Sequence, residues 1–109
     1  MKMPLDAKVL KIFIGEQEKW KGKPLYEAIV DVAREKKMAG ATVLKGCLGF
    51  GANSHMHTSK ILSLSEDLPM IIEIVDGAEK IEHFLPLLDE MIKDGLVTVE
   101  PINVVIYKA

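Results

Sequence analysis

Met70-Ile71-Ile72-Glu73-Ile74-Val75 is the stretch on which the fold turns. Isoleucine and valine carry branched Cβ atoms that suit a pleated sheet better than a helix. The run is short and apolar on both sides of an extended backbone, as in a strand from the interior of a sheet. Asp67-Leu68-Pro69 precedes it and predicts an interruption or bulge, since proline has no N–H for a ladder. Ile61 to Ser65 reads as a further extended piece, so one long, broken strand is expected to cover both.

A matching signal lies near the amino terminus. Ala7 to Ile14 places Val9 and Phe13 on one side of an extended chain and Leu10, Ile12 and Ile14 on the other, which predicts a second central strand. Gly15 to Gly22 is polar and turn-like. Pro24 falls at the expected first helical position, where its missing N–H costs nothing. Leu25, Ala28, Ile29, Val32 and Ala33 then repeat at helical spacing, and Gly40 is expected to close that helix in a left-handed conformation.

Thr42 to Leu48 reads as a strand, and Gly51 to Ser59 as a polar connection. Gly77 to Asp94 predicts a helix with a stripe of Ile81, Phe84, Leu85, Leu88, Met91 and Ile92, kinked toward Glu82 because Pro86 removes a hydrogen bond. Leu96 to Tyr107 predicts a last strand, and Pro101 within it points to a sheet edge. The order βαββαβ is that of a ferredoxin-like α+β sandwich. Two helices would lie on one face of a mixed four-stranded sheet, with strands one and three central.

Helices on one face leave the other open, yet both central strands are apolar on both sides. Leaving several such side chains wet would forfeit several kcal/mol at about 25 cal/mol per Å². A homo-oligomer packed through the sheet is therefore expected.

The chain has 109 residues, 49% of them hydrophobic, which fits one domain spanning 1–109. Its 14 basic and 16 acidic residues leave a net charge of −2, so nothing favours a nucleic-acid partner. Cys47 is the only cysteine, which excludes an internal disulfide and suits a reducing cytoplasm. Its apolar neighbours predict a small core or interface residue. The amino terminus has no apolar signal-peptide run, and no stretch approaches the roughly 20 residues that span a bilayer, so neither secretion nor membrane insertion is expected.

Gly40-Ala-Thr-Val-Leu-Lys-Gly46-Cys-Leu-Gly49-Phe-Gly51 has four glycines along one strand and its exit. Backbone must approach something closely there. One reading is a bulged edge strand with a tight turn. The other is a ligand cradle in which Gly49 and Gly51 present N–H groups to an anion while Lys45 or Lys60 supplies charge. Neither a dinucleotide fingerprint nor a P-loop pattern is present.

With Leu68-Pro69 and Ile72-Glu73-Ile74-Val75, this stretch resembles the PII signal-transduction proteins. More closely, Gly22-Lys-Pro-Leu-Tyr-Glu-Ala28, Gly40-Ala-Thr-Val, Gly49-Phe-Gly51 and Asp67-Leu-Pro69 resemble an uncharacterised PII-like family, domain of unknown function family 190. The resemblance covers nearly the whole chain. It implies a homotrimer, a small-ligand-sensing regulatory role, and an adenine nucleotide held in a cleft between subunits. Gly49, Phe50 and Gly51 occupy the positions that this resemblance places against the nucleotide, and with Lys45, Gly46, Asn53, Ser54 and Lys60 they make up the expected ligand-binding site. Residues 52–65 would form the loop that meets a partner protein; an alternative that the resemblance permits is an adaptor regulating a membrane transport protein.

Some of the pattern differs. PII proteins join their second helix to the last strand by a phosphate-binding loop, whereas Asp94-Gly95 makes that join here. The spacing from Gly40 to Gly49 is one residue longer, and the 52–65 loop has no tyrosine to modify. Lys21 and Lys23 would replace the phosphate grip if their loop faced the cleft. Trp20, in the same loop, is expected to pack back on the domain.

His55 and His57 are two apart and would point the same way on an extended chain, so a divalent metal shared with neighbouring subunits is the alternative, similar to copper-tolerance proteins of this architecture. His83 is expected on the polar side of its helix. A triad of Ser54, His55 and Asp67 can be drawn, but serine, histidine and aspartate in one loop region recur by chance. No enzyme activity is expected.

Overall fold

The computed structural model describes residues 6–51 and 67–109. In chain order the elements are β1 (Ala7–Gly15), β2 (Lys19–Trp20), β3 (Lys23–Pro24), α1 (Leu25–Glu35), β4 (Thr42–Lys45), β5 (Pro69–Gly77), α2 (Ala78–Met91) and β6 (Leu96–Pro101). The main sheet has the order β4-β5-β1-β6, with β1 and β5 central. Every neighbouring pair is antiparallel, so the sheet is not the mixed one expected. The fold is the ferredoxin-like α+β sandwich that the element order predicts.

One sheet face and both helices enclose the core. Leu10, Ile12 and Ile14 of β1 and Met70, Ile72 and Ile74 of β5 are buried against Leu25, Ala28, Ile29 and Ala33 of α1 and Ile81, Phe84, Leu88 and Met91 of α2. Both helical stripes follow the spacing in the sequence. Helix α2 runs through Pro86, and the carbonyl left without its usual donor belongs to exposed Glu82, where water can reach it. His83 is exposed on the same helix, as expected.

Helix α1 closes differently from expectation. Lys37, with φ 57°, takes the left-handed position, and Gly40 does not. The Lys37 N–H donates to Arg34 O at 3.0 Å and the Met38 N–H to Ala33 O at 3.0 Å. That pair of bonds is a Schellman motif. Buried Asp76, at the end of β5, holds the next turn: its Oδ2 accepts the Ala39 N–H at 2.9 Å and its Oδ1 accepts the Gly77 N–H at 2.7 Å.

Asp67 and Leu68 lie outside any strand and Pro69 begins β5 opposite Gly15, so the expected interruption falls there. Two strand ends, those of β4 and β6, fall inside the expected ones. Strand β4 stops at Lys45 because its neighbour begins at Pro69; one more bond, Gly46 N–H to Pro69 O at 2.7 Å, closes the pairing. Strand β6 stops at Pro101 because β1 begins at Ala7, whose carbonyl takes a last bond from the Ile102 N–H at 3.1 Å. The third extended piece expected at 61–65 lies outside the described residues.

The polar loop after β1 contains a hairpin that the sequence reading does not anticipate. Trp20 pairs with Lys23 across Lys21 and Gly22, both with positive φ, 50° and 79°. This is the two-residue turn whose twist matches its strands. Trp20 packs back against the core, as expected, and Lys21 Nζ lies 5.3 Å from the centre of its ring. Pro24 is the N-cap residue of α1, one position before the expected one.

Candidate functional site

Four chain segments meet at one end of the sheet. The strand register brings Lys45 at the end of β4 beside Met70, Met70 beside Ile14, and Phe13 beside Leu96 at the start of β6. The exit of β4, the loop after β1, the approach to β5 and the joint before β6 therefore share that end. Gly95 of the joint is packed so closely that a Cβ there would lie 2.8 Å from Phe13 O.

Two of the four glycines are explained by a neighbour within the chain. A Cβ on Gly46 would lie 2.6 Å from Pro69 Cγ, and one on Gly49 would lie 3.0 Å from the same atom. Residues 46–49 thus wrap the Pro69 ring. A Cβ on Gly40 would meet nothing within 4 Å. The bulge-and-turn reading accounts for Gly46 and Gly49, while Gly51 is exposed just past them.

This wrapping turns the intervening side chains outward. Leu48 is 85% exposed and Phe50 73%. Cys47 is exposed too, so of the two expected settings, core and interface, the core is ruled out: the turn around Pro69 aims it away from the chain's own core.

The charges nearby are mainly acidic. Lys45 Nζ is paired with Glu16 Oε2 at 2.9 Å, so its charge is already partnered. Asp67 Oδ1 accepts the Gln17 N–H at 2.7 Å, and the Asp67 carboxylate occupies the space a Cβ on Gly15 would need. Burial and the neighbouring Asp94 and Asp67 raise the Glu18 pKa above its usual value, partly offset by Lys93. Lys23 is ion-paired with Asp31 and Lys21 stacks on Trp20, so neither stands free as a phosphate grip within the chain.

The other sheet face bears rows of side chains. Register places Leu44, Ile71, Phe13 and Leu96 in one row across all four strands. Leu44 is 47% exposed and Leu96 57%. The next row is polar: Thr42, Glu73, Lys11 and Thr98, with Glu73 directly opposite Lys11. An apolar row lying next to the Gly46–Gly51 turn is what the sequence pattern of the central strands required.

The family model for the uncharacterised family DUF190 ("Uncharacterized ACR") matches residues 7–104. The chain belongs to the DUF190 family. A UPF0166 protein of Aquifex aeolicus (strain VF5) is 38% identical over 104 residues, 93% of this chain and 95% of the relative. A UPF0166 protein of Methanocaldococcus jannaschii is 39% identical over 101 residues, 92% of this chain and 93% of that one. Among solved structures, that of CPII bound to ADP and bicarbonate, from Thiomonas intermedia K12, superposes with a TM-score of 0.56 at 19% identity, covering 93% of both chains. The DUF190 chain therefore has a PII-like fold.

Of the residues anticipated as a site, Lys45, Gly46, Gly49, Phe50 and Gly51 are together at this sheet end. Asn53, Ser54, Lys60 and the alternative metal ligands His55 and His57 lie outside the described residues. Among the described residues, no group of three or more His, Cys, Asp and Glu side chains could hold a metal ion. No helix among them is long and apolar enough to cross a membrane. The acidic surroundings and the Lys45–Glu16 pair escaped the sequence reading, because residues so distant in sequence become neighbours only through the β4-β5-β1 register.

Proposed function

We propose that this DUF190 chain is a PII-like regulatory protein that senses a small ligand in a cleft between subunits of a homotrimer. The ligand is an adenine nucleotide held near Gly46 to Ser54, and the 52–65 loop reports its presence to a partner protein, with no catalysis involved. The observation that carries this reading is the outward display of Leu48 and Phe50 from the turn around Pro69, beside the apolar row Leu44, Ile71, Phe13 and Leu96. A second subunit on that row would place its own surface over the turn and form a cleft with an aromatic floor. ADP in the CPII structure supports the choice of ligand class.

Electrostatics narrows the class. With Lys45 partnered by Glu16, and Asp94-Gly95 in place of a phosphate loop, a triphosphate finds little positive charge on this subunit. Base stacking on Phe50 contributes more here than phosphate contacts do. The free thiol of Cys47 favours a reducing, cytoplasmic setting.

Isothermal titration with AMP, cyclic AMP, ADP and ATP tests the proposal. The expected result is binding of at least one at a Kd well below millimolar, weakened at least tenfold in Phe50→Ala. If no adenine nucleotide binds more tightly than about millimolar, the nucleotide reading fails.

A further inference from the structure

Strand β1 ends at Gly15, and the chain continues as Glu16-Gln17-Glu18, two carboxylates flanking an amide. Hydrogen bonds fix this loop on both sides. The Glu16 N–H donates to Leu68 O at 2.8 Å and the Gln17 N–H to Asp67 Oδ1 at 2.7 Å, while Glu18 O accepts the Leu25 N–H at 2.8 Å. The backbone is thereby held between the approach to β5 and the start of α1, and movement is left to the side chains.

Each carboxylate of the loop faces a lysine. Glu16 Oε2 lies 2.9 Å from Lys45 Nζ. Lys93, two residues before Gly95, is close enough to Glu18 to favour its charged form. Lys45 stands immediately before Gly46, where the chain begins to wrap Pro69. A basic group at that position is what a phosphate at the Gly46–Gly51 turn would meet, and a carboxylate of the same chain is already on it.

The Glu16–Lys45 pair can be exchanged for another. The Glu16 side chain is 26% exposed and that of Lys45 52%, and ion pairs open to water to this degree hold weakly. A phosphate offers Lys45 more negative charge than one carboxylate does. Rotating the Glu16 side chain away leaves its N–H on Leu68 O, so the loop keeps its place.

We propose that Glu16 sets how much charge the ligand turn accepts: its carboxylate stands on Lys45 as an internal substitute for a ligand phosphate, so an anion must displace it and then bind beside it. This inference rests on the nucleotide reading above and adds the residue that selects among nucleotides. Repulsion from the displaced carboxylate grows in proportion to the charge of the ligand. A nucleoside triphosphate, with about twice the charge of a monophosphate, therefore meets about twice the penalty.

Isothermal titration with AMP, ATP and inorganic tripolyphosphate tests it on wild type, Glu16→Gln and Glu16→Gln/Lys45→Met, with circular dichroism to confirm that each chain is folded. Glu16→Gln keeps the side-chain length and the backbone N–H. It is expected to tighten ATP about tenfold and AMP about threefold, and adding Lys45→Met is expected to remove most of both gains. Equal gains for the two nucleotides, gains that survive Lys45→Met, or an unchanged ATP affinity overturn the inference; AMP binding beside any of these leaves the nucleotide reading standing. If tripolyphosphate gains affinity in Glu16→Gln and loses it with Lys45→Met while no adenine nucleotide binds, the masking of Lys45 holds and the nucleotide reading falls. Binding of none of the three probes by any chain overturns both.

Discussion

Gly46 and Pro69 are in contact so close that a single methyl group does not fit between them. The Cβ of an alanine at 46 would lie 2.6 Å from Pro69 Cγ and 3.3 Å from the carbonyl oxygen that accepts the Gly46 N–H. Relief requires shifting the start of β5, a central strand. Gly46→Ala is therefore expected to destabilise the chain by about 1–3 kcal/mol in urea unfolding. Gly40→Ala, with open space around it, should change stability by less than about 1 kcal/mol. Adding Pro69→Ala should recover much of the Gly46→Ala loss; no recovery would mean that the proline ring is not the obstacle.

The order of elements was legible because the long strands and both helices declare themselves by period. Val9 to Ile14 and Met70 to Val75 are too β-branched for helices, and both helical stripes land on the core. Strand ends were less legible, since β4 and β6 stop where a neighbour runs out, at Pro69 and Ala7. Gly40 looked like the helix stop, but the Schellman bonds close three residues earlier on Lys37. At the site, the glycines announced a close approach without naming Pro69 as the group approached.

Lys37 offers a direct check on that closure. A lysine at φ 57° sets its Cβ against backbone, and glycine has no such cost. Lys37→Gly is expected to stabilise the chain by up to about 1 kcal/mol in thermal or urea unfolding. A loss of similar size would show that the residue does not hold the left-handed position.

Asp76 ties the end of α1 to the start of α2. Its carboxylate accepts N–H groups from Ala39 and Gly77, and Lys80 Nζ stands 3.8 Å away. Removing it orphans two buried or half-buried donors at once. Asp76→Ala is expected to cost about 2–4 kcal/mol, and Asp76→Asn less, because the amide oxygen can still accept one of the two bonds. Equal losses for both variants would mean that charge, not acceptance, is what matters.

The two faces of β1 should respond differently to substitution. Ile12 is fully buried beneath the helices, so Ile12→Ala is expected to cost about 2–5 kcal/mol. Phe13, one residue on, belongs to the apolar row of the open face. Phe13→Lys is expected to lower the mass seen by light scattering while the helical circular dichroism signal persists. A Phe13→Lys chain that keeps its full oligomeric mass would rule this row out as the packing surface.

Glu18 links the site to pH. Burial first, then Asp94 and Asp67, raises its pKa above the usual 4.5, with Lys93 opposing. Below 4.5 the carboxyl is protonated whether the chain is folded or not, and it adds no penalty. As pH rises from there through the folded value, the unfolded chain releases its proton more readily, so stability falls and then levels off. Glu18→Gln removes the ionisation. Its urea midpoint is expected to exceed that of the wild type at pH 7 and to approach it at about pH 3.5. A variant less stable than wild type at pH 7 but equal to it at about pH 3.5 would mean that the carboxylate is held by favourable partners.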